Sequence, residues 1–133
     1  MADHLSKKIL IVGDNICDKF NLKKSFTYFL NNLGYNIILC SSSADAVNTI
    51  KKEQPDLVLM DIYMEHNNGI EILKEIKELK DLATIPCIMI TSLRHSRKLI
   101  DALQIGAADY IIKTGTSAQV VNNKIMKVFN GAA

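Results

Sequence analysis

The sequence lacks the features that mark several common classes of protein. Its 16 lysines and arginines nearly balance its 14 aspartates and glutamates, and a net charge of +2 is too small to indicate nucleic-acid binding. The N-terminal apolar run at 9–13 is too short for a signal-peptide core or a membrane span. There is no internal repeat, linker or low-complexity segment, so we expect residues 1–133 to form a single domain that does not contact a membrane.

The sequence has only three cysteines, and no sequence motif brings two of them together. Cys17, Cys40 and Cys87 form no C-x-x-C pair and are odd in number. Cys40 and Cys87 lie in strand-like runs, where we interpret them as small buried hydrophobic side chains. This usage fits a reducing compartment, so we expect the protein in the cytoplasm.

Short apolar runs alternate with helical patterns along the chain. Strands are predicted at 8–13, 36–41, 57–61, 86–91 and 109–112, and apolar residues recur every three or four positions after each of them. This alternation predicts an α/β domain with a parallel sheet that helices cover on both faces. Five such units form an open doubly wound sheet more often than a closed barrel, which needs eight.

Several residues predict where the helices end and which way they face. Ser43 is a suitable N-cap for the second helix, and Pro55 should stop that helix. The fourth helix should end near Gly106. The apolar stripes of the first and fourth helices include Leu33 and Leu103, so we expect both side chains to face the core.

Polar side chains lie at the end of four of the predicted strands or directly after it. Asp14 follows the first strand, Asp61 ends the third, Thr91 ends the fourth and Lys113 follows the last. In an open parallel sheet the carboxyl ends of the strands form the edge where ligands bind. Two carboxylates, a hydroxyl and an ammonium at that edge can hold a metal ion and a phosphoryl group.

These segments together resemble the response-regulator receiver domain of two-component signalling. The matching segments are ILIVGDN at 9–15, DLVLMDIYM at 56–64, Gly69, TS at 91–92 and GAADYIIK at 106–113, in the family's order and spacing over essentially the whole chain. The resemblance implies the five-stranded flavodoxin-like receiver fold with sheet order 2-1-3-4-5.

The resemblance also implies a role for each matching residue. Asp61 would be the phosphoacceptor, and Mg²⁺ would be held by Asp14, Asp61 and the backbone carbonyl of Tyr63. Thr91 would donate its hydroxyl to the phosphoryl group, whose charge Lys113 would pair. Such chemistry depends mostly on positioning and on charge neutralisation, because negative charges are brought together.

The expected output of this domain is a change of its surface. Thr91 and Tyr110 would form the switch, with Tyr110 turning inward as Thr91 moves. The phosphodonor would be a histidine kinase or a phosphotransfer protein, and a downstream protein would read the fourth helix, last strand and fifth helix. We expect no other enzymatic activity than catalysis of its own phosphorylation and dephosphorylation, no direct contact with nucleic acid in this chain, and a monomer or weak dimer.

Some positions depart from the family pattern. Gly13 replaces the first of two adjacent acids, so we expect weakened, not abolished, Mg²⁺ binding. Thr114 replaces the usual proline after Lys113, which predicts a trans bond and a rearranged loop. Two further departures are Glu65 and His66 in the loop after Asp61, and a third is Ser92 at a usually apolar position. Glu65 either is exposed or reaches the metal.

Two bulky residues predict a long-lived phosphorylated state. Tyr63 lies two positions after Asp61, and Leu93 lies two positions after Thr91. In receiver domains these positions flank the path of the hydrolytic water. We therefore expect slow self-dephosphorylation.

Two alternative functions remain open at this point. Gly13 and Thr114 are also compatible with a pseudo-receiver, which has the same fold but acts as a phosphorylation-independent protein-interaction module. The second alternative is a flavodoxin-like small enzyme or nucleotide binder. No G-x-G-x-x-G follows the first strand, which argues against that second alternative.

Overall fold

The computed structural model describes residues 6–13, 22–62, 68–91, 97–112 and 116–131, with residues 22–26 described by their backbone alone. Strands and α-helices alternate along these residues, as the sequence predicts. The strands are β1 (Lys8–Val12), β2 (Asn36–Cys40), β3 (Leu57–Asp61), β4 (Cys87–Thr91) and β5 (Asp109–Ile112). The helices are α1 (Leu22–Asn32), α2 (Ala46–Glu53), α3 (Gly69–Glu78), α4 (Arg97–Ile105) and α5 (Ala118–Phe129).

The five strands form one parallel sheet in the order β2-β1-β3-β4-β5, which confirms the predicted order. The observed strands match the predicted segments to within one residue at each end. Every residue of β3 and β4 is buried, whereas β2 and β5 lie at the two edges and are partly exposed. The continuous apolar runs of β3 and β4 therefore reflect burial on both faces of the sheet.

Two hydrophobic clusters form the core, one on each face of the sheet. One face packs against α2, α3 and α4 and contains residues such as Val58, Met60 and Met89. The opposite face packs against α1 and α5 and contains residues such as Leu59 and Ile90. Among the described helices, none has the length and apolar character needed to cross a membrane.

The predicted N-cap of the second helix is wrong. Ser43 instead begins a short 3₁₀ turn, Ser43–Asp45, in which the N–H of Asp45 donates to the Ser42 carbonyl at 3.2 Å. This tighter turn buries Ser43 and delays the start of α2 to Ala46. The sequence pattern did not indicate this turn, because serine is favoured at helix N-termini and turns alike.

The predicted helix ends are confirmed, but two predicted core residues are exposed. Helix α2 ends before Pro55, and α4 ends before Gly106, whose φ of 130° lies in the left-handed region. Leu33 lies beyond the end of α1, and Leu103 lies at the margin of the α4 stripe. Both side chains are partly exposed, at 38% and 42%.

Candidate functional site

Asp61 and Thr91 lie beside each other at the carboxyl edge of the sheet. Asp61 is the last residue of β3 and pairs in register with Ile90, so Thr91 lies one residue further along the neighbouring strand. Both side chains are buried, with 8% and 1% of their surface exposed. A buried carboxylate and a buried hydroxyl therefore lie on neighbouring strands at the edge where parallel α/β sheets bind their ligands.

Gly13 lies on the other side of Asp61, immediately after β1. Its N–H donates to the Cys40 carbonyl at 3.0 Å, which continues the β1–β2 ladder by one residue. A Cβ on residue 13 would lie 2.8 Å from Asp61 Oδ2, closer than non-bonded carbon and oxygen atoms can approach. The absence of a side chain at this position thus gives the Asp61 carboxylate room on the β1 side.

The N-terminus of α3 packs closely against the end of β3. The Gly69 N–H donates to the Ile62 carbonyl at 2.6 Å, and Asn68 caps the helix by accepting from the Glu71 N–H at 2.9 Å. A Cβ on residue 69 would collide with the Asp61 carbonyl oxygen and would lie 2.9 Å from Met89 Cε. Gly69 therefore permits the close approach that fixes the backbone of Asp61.

Thr91 and Tyr110 share one face of the sheet. Tyr110 pairs in register with Met89, and both pack on the side of α3 and α4. Thr91 lies two residues beyond Met89, so strand alternation places it on that same face. The two predicted switch residues are thus neighbours on adjacent strands.

Tyr110 also contacts helix α5. The Lys124 Nζ lies 4.9 Å from the centroid of the Tyr110 ring and 3.1 Å from Asp109 Oδ1. Asp109 and Asp56 both make structural contacts: Asp109 accepts from Lys124 Nζ, and Asp56 Oδ2 accepts from the N–H of Lys8 at 2.8 Å. The sequence pattern gave no sign of the contact between Lys124 and Tyr110.

Other predicted site residues lie outside the described residues. They are the metal ligands Asp14 and Tyr63, the cation Lys113, and the departures or flanking positions Glu65, His66, Ser92, Leu93 and Thr114. The predicted trans bond at Lys113–Thr114 and the predicted slow dephosphorylation therefore stay predictions.

The described part of the site suits a hard divalent cation. Asp61 supplies a carboxylate oxygen, the kind of ligand that Mg²⁺ prefers in proteins. Gly13, which lies against this carboxylate, directly precedes Asp14 in the sequence.

The fold and the site define a doubly wound α/β domain with a buried acid at the ligand-binding edge of its sheet. Residues 9–124 match the family model of the response regulator receiver domain, so the chain belongs to this family. The proteins of this family are receiver domains of two-component response regulators, as the sequence predicts.

Known relatives agree with this assignment. The chain is 33% identical over 107 residues to the probable transcriptional regulator ycf27 of Guillardia theta, covering 80% of this chain and 39% of that protein. It therefore spans well under half the length of that relative.

Solved structures show the same fold. The receiver domain of a signal transduction histidine kinase from Syntrophus aciditrophicus is 27% identical, with a TM-score of 0.81 and coverage of 95% of this chain and 92% of that one. The receiver domain of a sensor histidine kinase from Pseudomonas aeruginosa PAO1 is 24% identical, with a TM-score of 0.80 and coverage of 96% and 99%. That second structure holds a magnesium ion in its active-site cleft.

Proposed function

We propose that Asp61 accepts a phosphoryl group and that the protein signals through the conformational change that follows. The observation that carries this proposal is the buried Asp61 carboxylate at the end of a central strand, with the Thr91 hydroxyl on the next strand. An Asp61 carboxylate oxygen forms a bond to phosphorus while the phosphorus–nitrogen bond of a donor phosphohistidine breaks. The departing imidazole keeps the electron pair and takes up a proton, which leaves an acyl phosphate on Asp61.

Asp14, Asp61 and the backbone carbonyl of Tyr63 would hold Mg²⁺ in this reaction. When bound, the ion offsets the negative charge that gathers as a phosphoryl group approaches a carboxylate. The magnesium-bound receiver domain from Pseudomonas aeruginosa supports this choice of metal. Gly13 leaves the site one acid short, so we propose a lower affinity for Mg²⁺ than a receiver with two adjacent acids would have.

Thr91, Lys113 and Tyr110 would act on the phosphorylated state. The Thr91 hydroxyl would donate to a phosphoryl oxygen and the Lys113 ammonium would pair its charge, which draws Thr91 toward Asp61. The common sheet face of Thr91 and Tyr110 supports coupling of that movement to the tyrosine ring. The phosphoryl group would thus change the relative populations of two surface conformations.

The phosphodonor would be a histidine kinase or a phosphotransfer protein, and the output partner would be a protein that binds the surface formed by α4, β5 and α5. Exposed apolar side chains on two of these elements support such a surface: Ile100 and Leu103 on α4, and Val120 on α5. The proposal needs no contact of residues 1–133 with nucleic acid or membrane, and it holds for a monomer or a weak dimer. The free thiols of Cys40 and Cys87 are compatible with the cytoplasm, where the kinase domain would act.

The test is incubation with acetyl phosphate, with and without Mg²⁺, followed by intact-mass measurement. We expect the Mg²⁺-dependent addition of one phosphoryl group to the wild-type protein. The Asp61→Asn variant is the matched control, because it keeps the shape of the side chain but loses the nucleophilic carboxylate. Equal addition to the variant would refute Asp61 as the acceptor.

Gly13 also favours a second candidate function, that of a pseudo-receiver that binds its partner without phosphorylation. This function predicts no phosphoryl addition at high Mg²⁺, either from acetyl phosphate or from a histidine kinase. It also predicts that Mg²⁺ leaves the NMR spectrum of the protein unchanged. A spectral change at Asp61 on addition of Mg²⁺ would exclude it.

A further inference from the structure

The ammonium group of Lys124 contacts two consecutive residues of strand β5. Its Nζ lies 3.1 Å from Asp109 Oδ1 and 4.9 Å from the centroid of the Tyr110 ring. Asp109 Oδ1 also accepts from the Tyr110 N–H at 2.7 Å, so it ties the lysine to the backbone of the tyrosine. A single carboxylate oxygen therefore organises both the tyrosine backbone and the cation beside its ring.

This contact joins the two layers of the domain around the open edge of the sheet. Helix α5 packs its buried residues Val121 and Ile125 on one face of the sheet. Tyr110 packs on the opposite face. Since β5 is the edge strand, Lys124 reaches from α5 around this edge to the ring.

We propose that Lys124 is a positioning residue, which holds the Tyr110 ring at the β5 edge by a cation–π contact braced by Asp109. This inference rests on the proposed function, in which Tyr110 turns inward toward Thr91. The inward turn takes the ring away from the ammonium, so the contact must break each time the switch operates. Lys124 thereby sets how readily Tyr110 responds.

The expected effect of Lys124 on the position of the Tyr110 ring is limited by the solvent exposure of its contacts. The Lys124 and Asp109 side chains are 29% and 23% exposed, so solvent screens their ion pair and the contribution of each contact is modest. A cation–π contact at such a site shifts an equilibrium by about two- to fivefold. Lys124 therefore adjusts the switch equilibrium without locking it.

The test is NMR on protein with ¹³C-labelled tyrosine rings. The chain has four tyrosines, and a Tyr110→Phe variant identifies the Tyr110 signal. Beryllofluoride with Mg²⁺, an analogue of the phosphoryl group, gives the signal of the inward-turned ring. In Lys124→Met we expect the Tyr110 signal to move toward that position without beryllofluoride, by about a two- to fivefold rise in the inward population.

Two further lysine variants separate positioning from general destabilisation. Lys127→Met removes an exposed lysine from the same helix and should leave the Tyr110 signal in place. Lys124→Arg keeps a cation and should restore most of the wild-type signal. An unmoved Tyr110 signal in Lys124→Met, or an equal movement in Lys127→Met, would overturn the proposal.

Asp109→Asn tests the bracing role of the carboxylate. The amide oxygen can still accept from the Tyr110 N–H, but it loses the charge that holds Lys124. We expect a smaller shift of the Tyr110 signal in the same direction and little further shift when Lys124→Met is added. Fully additive shifts would show that the two residues act separately and would overturn the bracing role.

One measurement keeps this inference distinct from the proposed function. The ε-methylene protons of Lys124 should be shifted upfield by the Tyr110 ring current, and Tyr110→Leu should abolish that shift. If the contact is present but neither beryllofluoride nor acetyl phosphate affects the protein, the phosphorylation proposal fails and the contact stands. If phosphorylation occurs but Lys124 shows no ring-current shift, the inference alone fails.

Discussion

The Asp61 carboxylate occupies space that a side chain on Gly13 would fill, since its Oδ2 lies 2.8 Å from the position of a Cβ on that residue. The replacement of an acid by glycine therefore has two effects at once. It removes a negative charge from the proposed metal site, and it widens the range of positions open to the Asp61 carboxylate. The two effects can be separated by substitution.

Gly13→Asp and Gly13→Asn form a matched pair. Both add the same Cβ and push the Asp61 carboxylate aside to the same extent, but only aspartate restores the charge. We expect Mg²⁺ affinity to be roughly 10- to 100-fold higher in Gly13→Asp than in Gly13→Asn, by isothermal titration calorimetry. Equal affinities would show that the missing charge does not weaken the site.

Gly69→Ala should destabilise the fold, in contrast to substitutions at Gly13. The added Cβ would meet the backbone oxygen of Asp61, which cannot rotate away, as well as Met89 Cε at 2.9 Å. We expect the free energy of unfolding in urea to fall by about 1–3 kcal/mol. An unchanged free energy of unfolding would contradict this account of the close approach.

Thr91 should matter through its hydroxyl group. Thr91→Ser keeps that group and Thr91→Ala removes it, while both lose the methyl group from a site that is 1% exposed. The Thr91 hydroxyl would donate a hydrogen bond to the charged beryllofluoride group. We therefore expect Thr91→Ala to bind beryllofluoride roughly 10- to 100-fold more weakly, and Thr91→Ser to bind it about as well as the wild type. If serine lost as much affinity as alanine, packing of the methyl group would be the cause.

Cys87 should make stability depend on alkaline pH. Burial raises the pKa of its thiol to about 11, and the nearby Lys77 charge offsets this only in part. Because the pKa is higher in the folded state, the stabilisation is fully present below the unfolded value of 9.0 and is lost as pH rises through the folded value. Two pKa units correspond to roughly 3 kcal/mol.

The measurement is urea unfolding of wild-type protein and Cys87→Ala across that alkaline range. Other groups titrate there in both proteins, so the difference between the two pH dependences isolates Cys87. We expect the wild type to lose more free energy of unfolding than the variant as pH rises. Parallel curves would mean that the thiol titrates normally in the folded protein.

The sequence predicted the placement of Asp61 and Thr91 because strand ends are marked by a change from apolar to polar residues. It also predicted the sheet order through the family resemblance. It did not predict the exposure of Leu103. Helical periodicity identifies the apolar stripe of a helix, but it does not show which residues at the side of that stripe remain exposed to solvent. The contact of Lys124 with Tyr110 was missed for a different reason: the two residues lie on different elements, and only the open sheet edge brings them together.

The positions of β3, β4 and β5 in the sheet predict an order of amide hydrogen exchange. Asp61 and Thr91 lie on strands that are buried along their whole length, so their amides should exchange only when the whole domain unfolds. Tyr110 lies on an edge strand with partly exposed residues, whose amides should exchange through smaller local openings. The proposed phosphoryl acceptor Asp61 would thus lie in the most rigid part of the protein. Tyr110, which would respond to the phosphoryl group, lies on a strand that can move without disturbing that part.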